Sequence, residues 1–253
     1  MMKRYPTDDE SSTSERIVTK TSPKPTCIYC GIREGATRDH IPPKGLFATP
    51  RPNLVTVPCC EPCQKGQSLD DEYFLRTIGM RRGIADNRSA RSAQGAAIRS
   101  LTKPQKTGFT RALIASLGLA SIHSPGGLYL GQAMTYNADV NRLCNVIQRT
   151  TCGLYFHKFG VRVPDDHICL VYAMDGFASA DLDVAANARK MWDSAISGKR
   201  YNFGNDVFSY WVQRLEGIEF ATLWAFLVYA SVAFVAVTAP ATDLPHPAQD
   251  RAQ

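Results

Sequence analysis

The chain has 253 residues, of which 44% are hydrophobic and 21% charged, and its formal net charge is +6. These values exclude a disordered chain or a small disulfide scaffold, and they leave room for one large core, or for a small module beside an ordinary domain. A pI near 8.9 points only weakly to a polyanionic partner, since many basic proteins have none.

Residues 1 to 24 are polar and rich in Ser and Thr, and a mobile tail is expected. Met1-Met2-Lys3-Arg4 leads into a polar run from Asp8 to Glu15 without an apolar segment, so a cytoplasmic protein is expected. Eight cysteines follow, four of them in two CxxC pairs, with Cys59, Cys144, Cys152 and Cys169 scattered. Cys27-Ile28-Tyr29-Cys30 and Cys60-Glu61-Pro62-Cys63 each place two thiolates close enough to share one ion. Four thiolates make a closed, structural Zn²⁺ site, of the kind that folds a module too small for a sufficient core. Cys59 competes with Cys60 for the third ligand position, and spacing favours Cys60. A thioredoxin-like reading is poor, because no βαβ pattern surrounds either pair.

Within this frame stands Thr37-Arg38-Asp39-His40-Ile41-Pro42-Pro43-Lys44. The strings CIYC, RDHIPPKGLF, NLVTVP and CEPCQ, in that order, resemble the HNH endonuclease family in its four-cysteine branch, over about residues 26 to 80. The resemblance implies a zinc-stabilised ββα-metal, treble-clef-like module that hydrolyses DNA phosphodiester bonds. His40 falls on the general base, where an imidazole titrating near neutrality suits proton removal from water. Asp39 falls on a ligand of the catalytic divalent ion, Mg²⁺ or Mn²⁺, for which oxygen donors are apt. Asn53 falls on the middle asparagine that orients the histidine, although an ordinary turn residue reads the same way. Gln64 takes the place usually held by Asn or His as second metal ligand. Its extra methylene moves the oxygen, so the site either tolerates the change or loses activity. Arg38, Lys44 and Lys65 are placed to meet phosphates, or are plain surface charge.

Ser68 before Asp71 suggests a helix start, which would make Asp70, Asp71 and Glu72 first-turn charges complementing the dipole rather than ligands. Residues 81 to 108 read as a basic linker with partial helix. Nine Lys and Arg against Asp86 alone between Arg76 and Arg111 make it a solvated arm or a phosphate-contacting one, with Arg81 and Arg82 as candidate contacts.

Residues 109 to 240 read as a larger α+β domain, followed by a tail over 241 to 253. The expected elements are a strand at Leu128-Tyr129-Leu130 and a helix capped by Asn137 that buries Val140, Leu143, Cys144 and Ile147. A strand at Ile168–Tyr172, a helix from Asp181 to Ser197 and a strand from Val207 to Val212 follow. Asp165-Asp166-His167 after Pro164 reads as a turn. His157, in an aromatic run, reads as a packed or surface residue, with base stacking a weaker reading. Phe220 to Ala239 lacks any charge and is long enough for a membrane span. Its valines favour a buried β-hairpin bending near Tyr229-Ala230-Ser231, so no membrane partner is expected. The overall expectation is an α+β HNH nuclease. Its rivals are a nucleic-acid-binding zinc protein without catalysis and a protein-interaction domain whose zinc is only structural.

Overall fold

The computed structural model describes residues 25–84, 87–101, 107–124, 126–174 and 181–244. The expected tail over 1–24 and most of that over 241–253 lie outside them. The fold is mixed α+β. Its first unit is strand, strand, helix: β1 (Thr37–Ile41) pairs antiparallel with β2 (Val55–Cys59), and α1 (Glu61–Gly79) follows. The helix α1 starts seven residues before Ser68, with Cys60 as its cap and Pro62 in the first turn, where a missing N–H costs nothing. The reading of Ser68 as a helix start is thereby corrected. Ser68 lies mid-helix and bonds the Lys65 carbonyl, and Asp70, Asp71 and Glu72 are mid-helix residues rather than first-turn charges.

The basic segment carries α2 (Arg88–Leu101), packed on α1, and α3 (Thr107–Ala115). A separate ribbon follows, β3 (Gly118–His123) with β4 (Tyr129–Thr135), and its residues are almost all exposed. The helix α4 (Val140–Phe159) is capped by the Asp139 carboxylate, which accepts from the Arg142 N–H at 3.3 Å, so Asp139 and not Asn137 is the cap. It takes in the aromatic run and leaves His157 exposed.

The remaining elements are β5 (His167–Ala173), α5 (Leu182–Ala195, capped by Asp181), β6 (Arg200–Phe203), β7 (Phe208–Arg214), β8 (Thr222–Val228) and β9 (Val232–Pro240). The strands form one antiparallel sheet in the order β5-β9-β8-β7-β6. The expected hairpin is β8–β9, turning through Tyr229 and Ala230 at φ of 53° and 54°. Its charge-free run is explained by cover on both faces. Trp224 and Phe226 face the α4 side, while Leu223 and Ala225 face α5, so both sets of an alternating strand are apolar. No helix among the described residues is long and apolar enough to cross a membrane.

Ile41, Leu46, Val57, Phe74 and Ile78 of the first unit join Leu143, Ile147, Phe226 and Phe234 in one continuous apolar cluster. The Tyr229 hydroxyl donates to the Leu46 carbonyl at 2.7 Å, fixing the β8–β9 turn to the connection after β1. Contacts between α4 and both β1 and β2 then bring the larger sheet's helix over the hairpin that carries Asp39.

Candidate metal centre and active site

The two cysteine pairs converge. The ligand sulfurs of Cys27, Cys30, Cys60 and Cys63 all lie within 4.8 Å of one another, with Cys30 Sγ 3.9 Å from Cys60 Sγ. A tetrahedral ion with sulfur at about 2.3 Å requires sulfur–sulfur spacings of roughly 3.8 Å, so the donor set fits Zn²⁺. The first knuckle is closed by Gly31, at φ +64°, whose N–H bonds the Cys27 carbonyl at 2.9 Å. That left-handed conformation favours glycine. The second knuckle is the N-terminus of α1, where backbone N–H groups and the helix dipole favour thiolate.

The titration of the thiols follows this architecture. Backbone N–H groups of Arg33 and Ile32 pull Cys30 down to about 6, and the Cys63 N–H lowers Cys60. Burial, then the neighbouring sulfurs, push Cys63 up; a shared dication relieves that crowding of negative charge. Cys59 is different. Burial pushes it up to about 12, and its thiol donates to the Cys60 carbonyl at 3.3 Å. It stays outside the cluster, and Cys60, the residue favoured by spacing, is the one whose sulfur joins those of Cys27, Cys30 and Cys63.

On β1 successive side chains alternate between faces. Arg38 and His40 point to one side, exposed and half-buried, while Asp39 and Ile41 are buried on the other. Asp39 is 8% exposed. Its Oδ2 accepts from the Tyr29 hydroxyl at 2.7 Å and lies 3.4 Å from Arg149 Nε, which comes from α4. Arg149 Nη2 meets Asp71 Oδ1 at 2.5 Å and its Nη1 donates to Gln67 Oε1 at 3.4 Å. The Arg149 side chain is 5% exposed. Burial works against this guanidinium, but Asp71, Asp39 and Tyr29 more than offset it and hold the charge firmly. Burial raises the Asp71 carboxyl despite the opposing pull of Arg149, and burial with the charge and hydrogen bond of Asp39 keeps the Tyr29 phenol protonated.

Gln64 reaches β1 one residue away from Asp39. Its Nε2 donates to the Arg38 carbonyl at 3.4 Å. Asn53 is exposed and lines a cleft of about 560 Å³ with His157, Lys158 and Tyr201. Among the described residues it makes no hydrogen bond to His40. The carboxylates Asp39 and Asp71 and the Gln64 carboxamide have the oxygen chemistry for Mg²⁺ or Mn²⁺. In this arrangement, though, Asp39 is already balanced by Arg149, and Gln64 is turned to the backbone.

The basic candidates are dispersed. Arg38 and Lys44 are exposed, Lys65 pairs with Glu61 at 2.6 Å, and half-buried Arg81 lies by the Tyr136 phenol. Arg82 falls in a 3₁₀ turn, Arg82–Ile84, and its side chain lies outside the described residues. Asp165-Asp166-His167 is a turn, with His167 Nδ1 2.8 Å from Asp166 Oδ1 and its Nε2 3.0 Å from the Glu219 carbonyl.

Sequence reasoning passed over Tyr29, Gln67 and Arg149. Tyr29 sits inside a knuckle, which is a usable signal; Arg149 joins from over a hundred residues downstream with none. Comparison with protein-family models, with curated proteins and with solved structures yields no match to this chain.

Proposed function

We propose that this protein is an HNH-type endonuclease hydrolysing DNA phosphodiester bonds, with residues 25–80 as a zinc-stabilised ββα-metal, treble-clef-like module. One observation carries the reading. A four-cysteine cluster frames the order strand, strand, helix, with Asp39-His40 on the first strand and Gln64 bridging from the helix back to it. His40 is half-buried and its ring makes no hydrogen bond among the described residues, so the ring is free to take a proton from water. Mg²⁺ or Mn²⁺, when bound, supplies charge for the scissile phosphate and the leaving oxygen. Arg38, Lys44, Lys65, Arg81 and Arg82 belong to the DNA contact in this reading. So does a cytoplasmic setting, where thiols stay reduced.

The pairing of Asp39 with Arg149 and Tyr29 favours a second reading, in which the module binds nucleic acid without cutting it. Plasmid nicking with Mg²⁺ or Mn²⁺, comparing the wild type with His40→Ala, separates the two. Nicking that His40→Ala abolishes supports the enzyme. Equal products from both proteins end that reading, and DNA retention without nicking supports the second.

A further inference from the structure

We propose that the cleft between the zinc module and the larger sheet carries the DNA strand past the module, with Lys158 and Lys199 as its phosphate contacts. The cleft, about 560 Å³, is walled by Asn53 and Val55 on the module side and by Lys158, Tyr201 and Asn202 on the other. Val55 adjoins Thr56, the β2 residue paired with His40, so the cleft opens beside the hairpin that holds the candidate base.

Its charge is of one sign. No carboxylate lines it among the described residues. Asp206, which accepts from Asn202 at 2.6 Å, is already met by Arg200 at 2.5 Å. The two lysines arrive from separate places, Lys158 from the last turn of α4 and Lys199 from the residue before β6. Both are exposed, and neither forms an ion pair among the described residues. They nevertheless converge on one ring. Their ammonium groups stand 4.7 and 5.4 Å from the centre of Tyr201, and Lys158 donates to its hydroxyl at 2.9 Å. Tyr210 stacks on Tyr201 at 4.8 Å and stiffens that floor. Like charges drawn to one point repel, and an anion between them relieves the repulsion. The dipole of α4 explains a cation at Lys158, but it does not bring Lys199 to the same ring. Exposed Asn53 adds an amide donor on the facing wall. Contacts of this kind hold a phosphodiester backbone without reading its bases.

The proposal rests on the DNA reading of the module, and its test does not read cleavage. Binding of a fluorescein-labelled DNA duplex to the zinc-loaded full chain is followed by anisotropy between about 50 and 200 mM salt, without Mg²⁺ or Mn²⁺. The wild type is compared with the double variant Lys158→Gln, Lys199→Gln. The control, Arg189→Gln with Lys190→Gln, removes the same charge from α5 on the other face of the sheet. The cleft variant is expected to bind at least about fivefold more weakly at the lower salt. Its slope of log affinity against log salt should be shallower by about two, one for each lost phosphate contact. A smaller loss, an unchanged slope, or a loss that the control shares overturns the proposal, as does absence of DNA binding by the wild type. Lysine-dependent binding with no nicking by the wild type leaves it standing while the nuclease reading falls. Metal-dependent nicking by the wild type with unchanged binding in the cleft variant does the reverse.

Discussion

Gly153 is the point at which α4 touches β1, one turn beyond Arg149. A Cβ built there would stand 2.5 Å from Ile41 Cγ1 and 2.8 Å from its Cδ1. Ile41 is fully buried and lies in a paired strand, so it has nowhere to turn. On an open helix surface Gly→Ala gains roughly 0.5–1 kcal/mol from lost unfolded-state freedom and better propensity. Overpacking a filled core costs about 1–3 kcal/mol. The second effect wins here, and Gly153→Ala is expected to lose on the order of 1–2 kcal/mol. Gly66, inside α1, is the control: its added Cβ meets nothing within 4 Å, so Gly66→Ala is expected to gain about 0.5–1 kcal/mol. Guanidinium denaturation of the zinc-loaded proteins reads both, as midpoint shifts of opposite sign. A Gly153→Ala midpoint at or above the wild-type value would refute the close seating of α4 on the hairpin, and with it the route by which Arg149 reaches Asp39.

The zinc site gives two further expectations. Cys60→Ser loses the bound zinc on dialysis whereas Cys59→Ser keeps one equivalent; metal analysis giving the opposite pattern would reassign the third ligand. Acidification should release the ion in a defined direction. Cys30 is lowered from about 9 to about 6, so its thiolate is fully available above the ordinary thiol range and is lost as pH falls through about 6. Zinc retention should therefore hold at neutral pH and weaken on acidification, as protons compete with the ion for the thiolates. Retention unchanged down to pH 4 would contradict the thiolate assignment.

Local chemistry made part of this molecule legible. The CxxC pairs announced the four-cysteine cluster because a knuckle is set by a few adjacent residues, and the valine-rich run from Phe220 announced β8–β9 because alternation is a property of the strand itself. Reading failed where two signals competed. Ser68 before Asp71 mimics a cap, but Pro62 and the knuckle start α1 earlier, and the acidic trio becomes a mid-helix row. That row serves tertiary ends: Asp70 takes Arg142 and Asn145 from α4, and Asp71 takes Arg149. Sequence spacing carries no information about such long-range pairs.

The same row bears on why Arg149 is there. Burying a guanidinium against carboxylates is a poor way to hold a helix down, since an apolar replacement of similar volume is often neutral or stabilising. Asp70 with Arg142 already fastens α1 to α4 nearer the solvent, with a bond of 2.7 Å and an arginine stacked 4.3 Å over Tyr73. The Ile41–Gly153 contact fastens α4 to β1 without any charge. Docking is thus achieved twice over before Arg149 is counted, and Arg149 then stands as the counter-charge of one buried carboxylate, Asp39, while Asp71, 27% exposed, keeps part of its hydration.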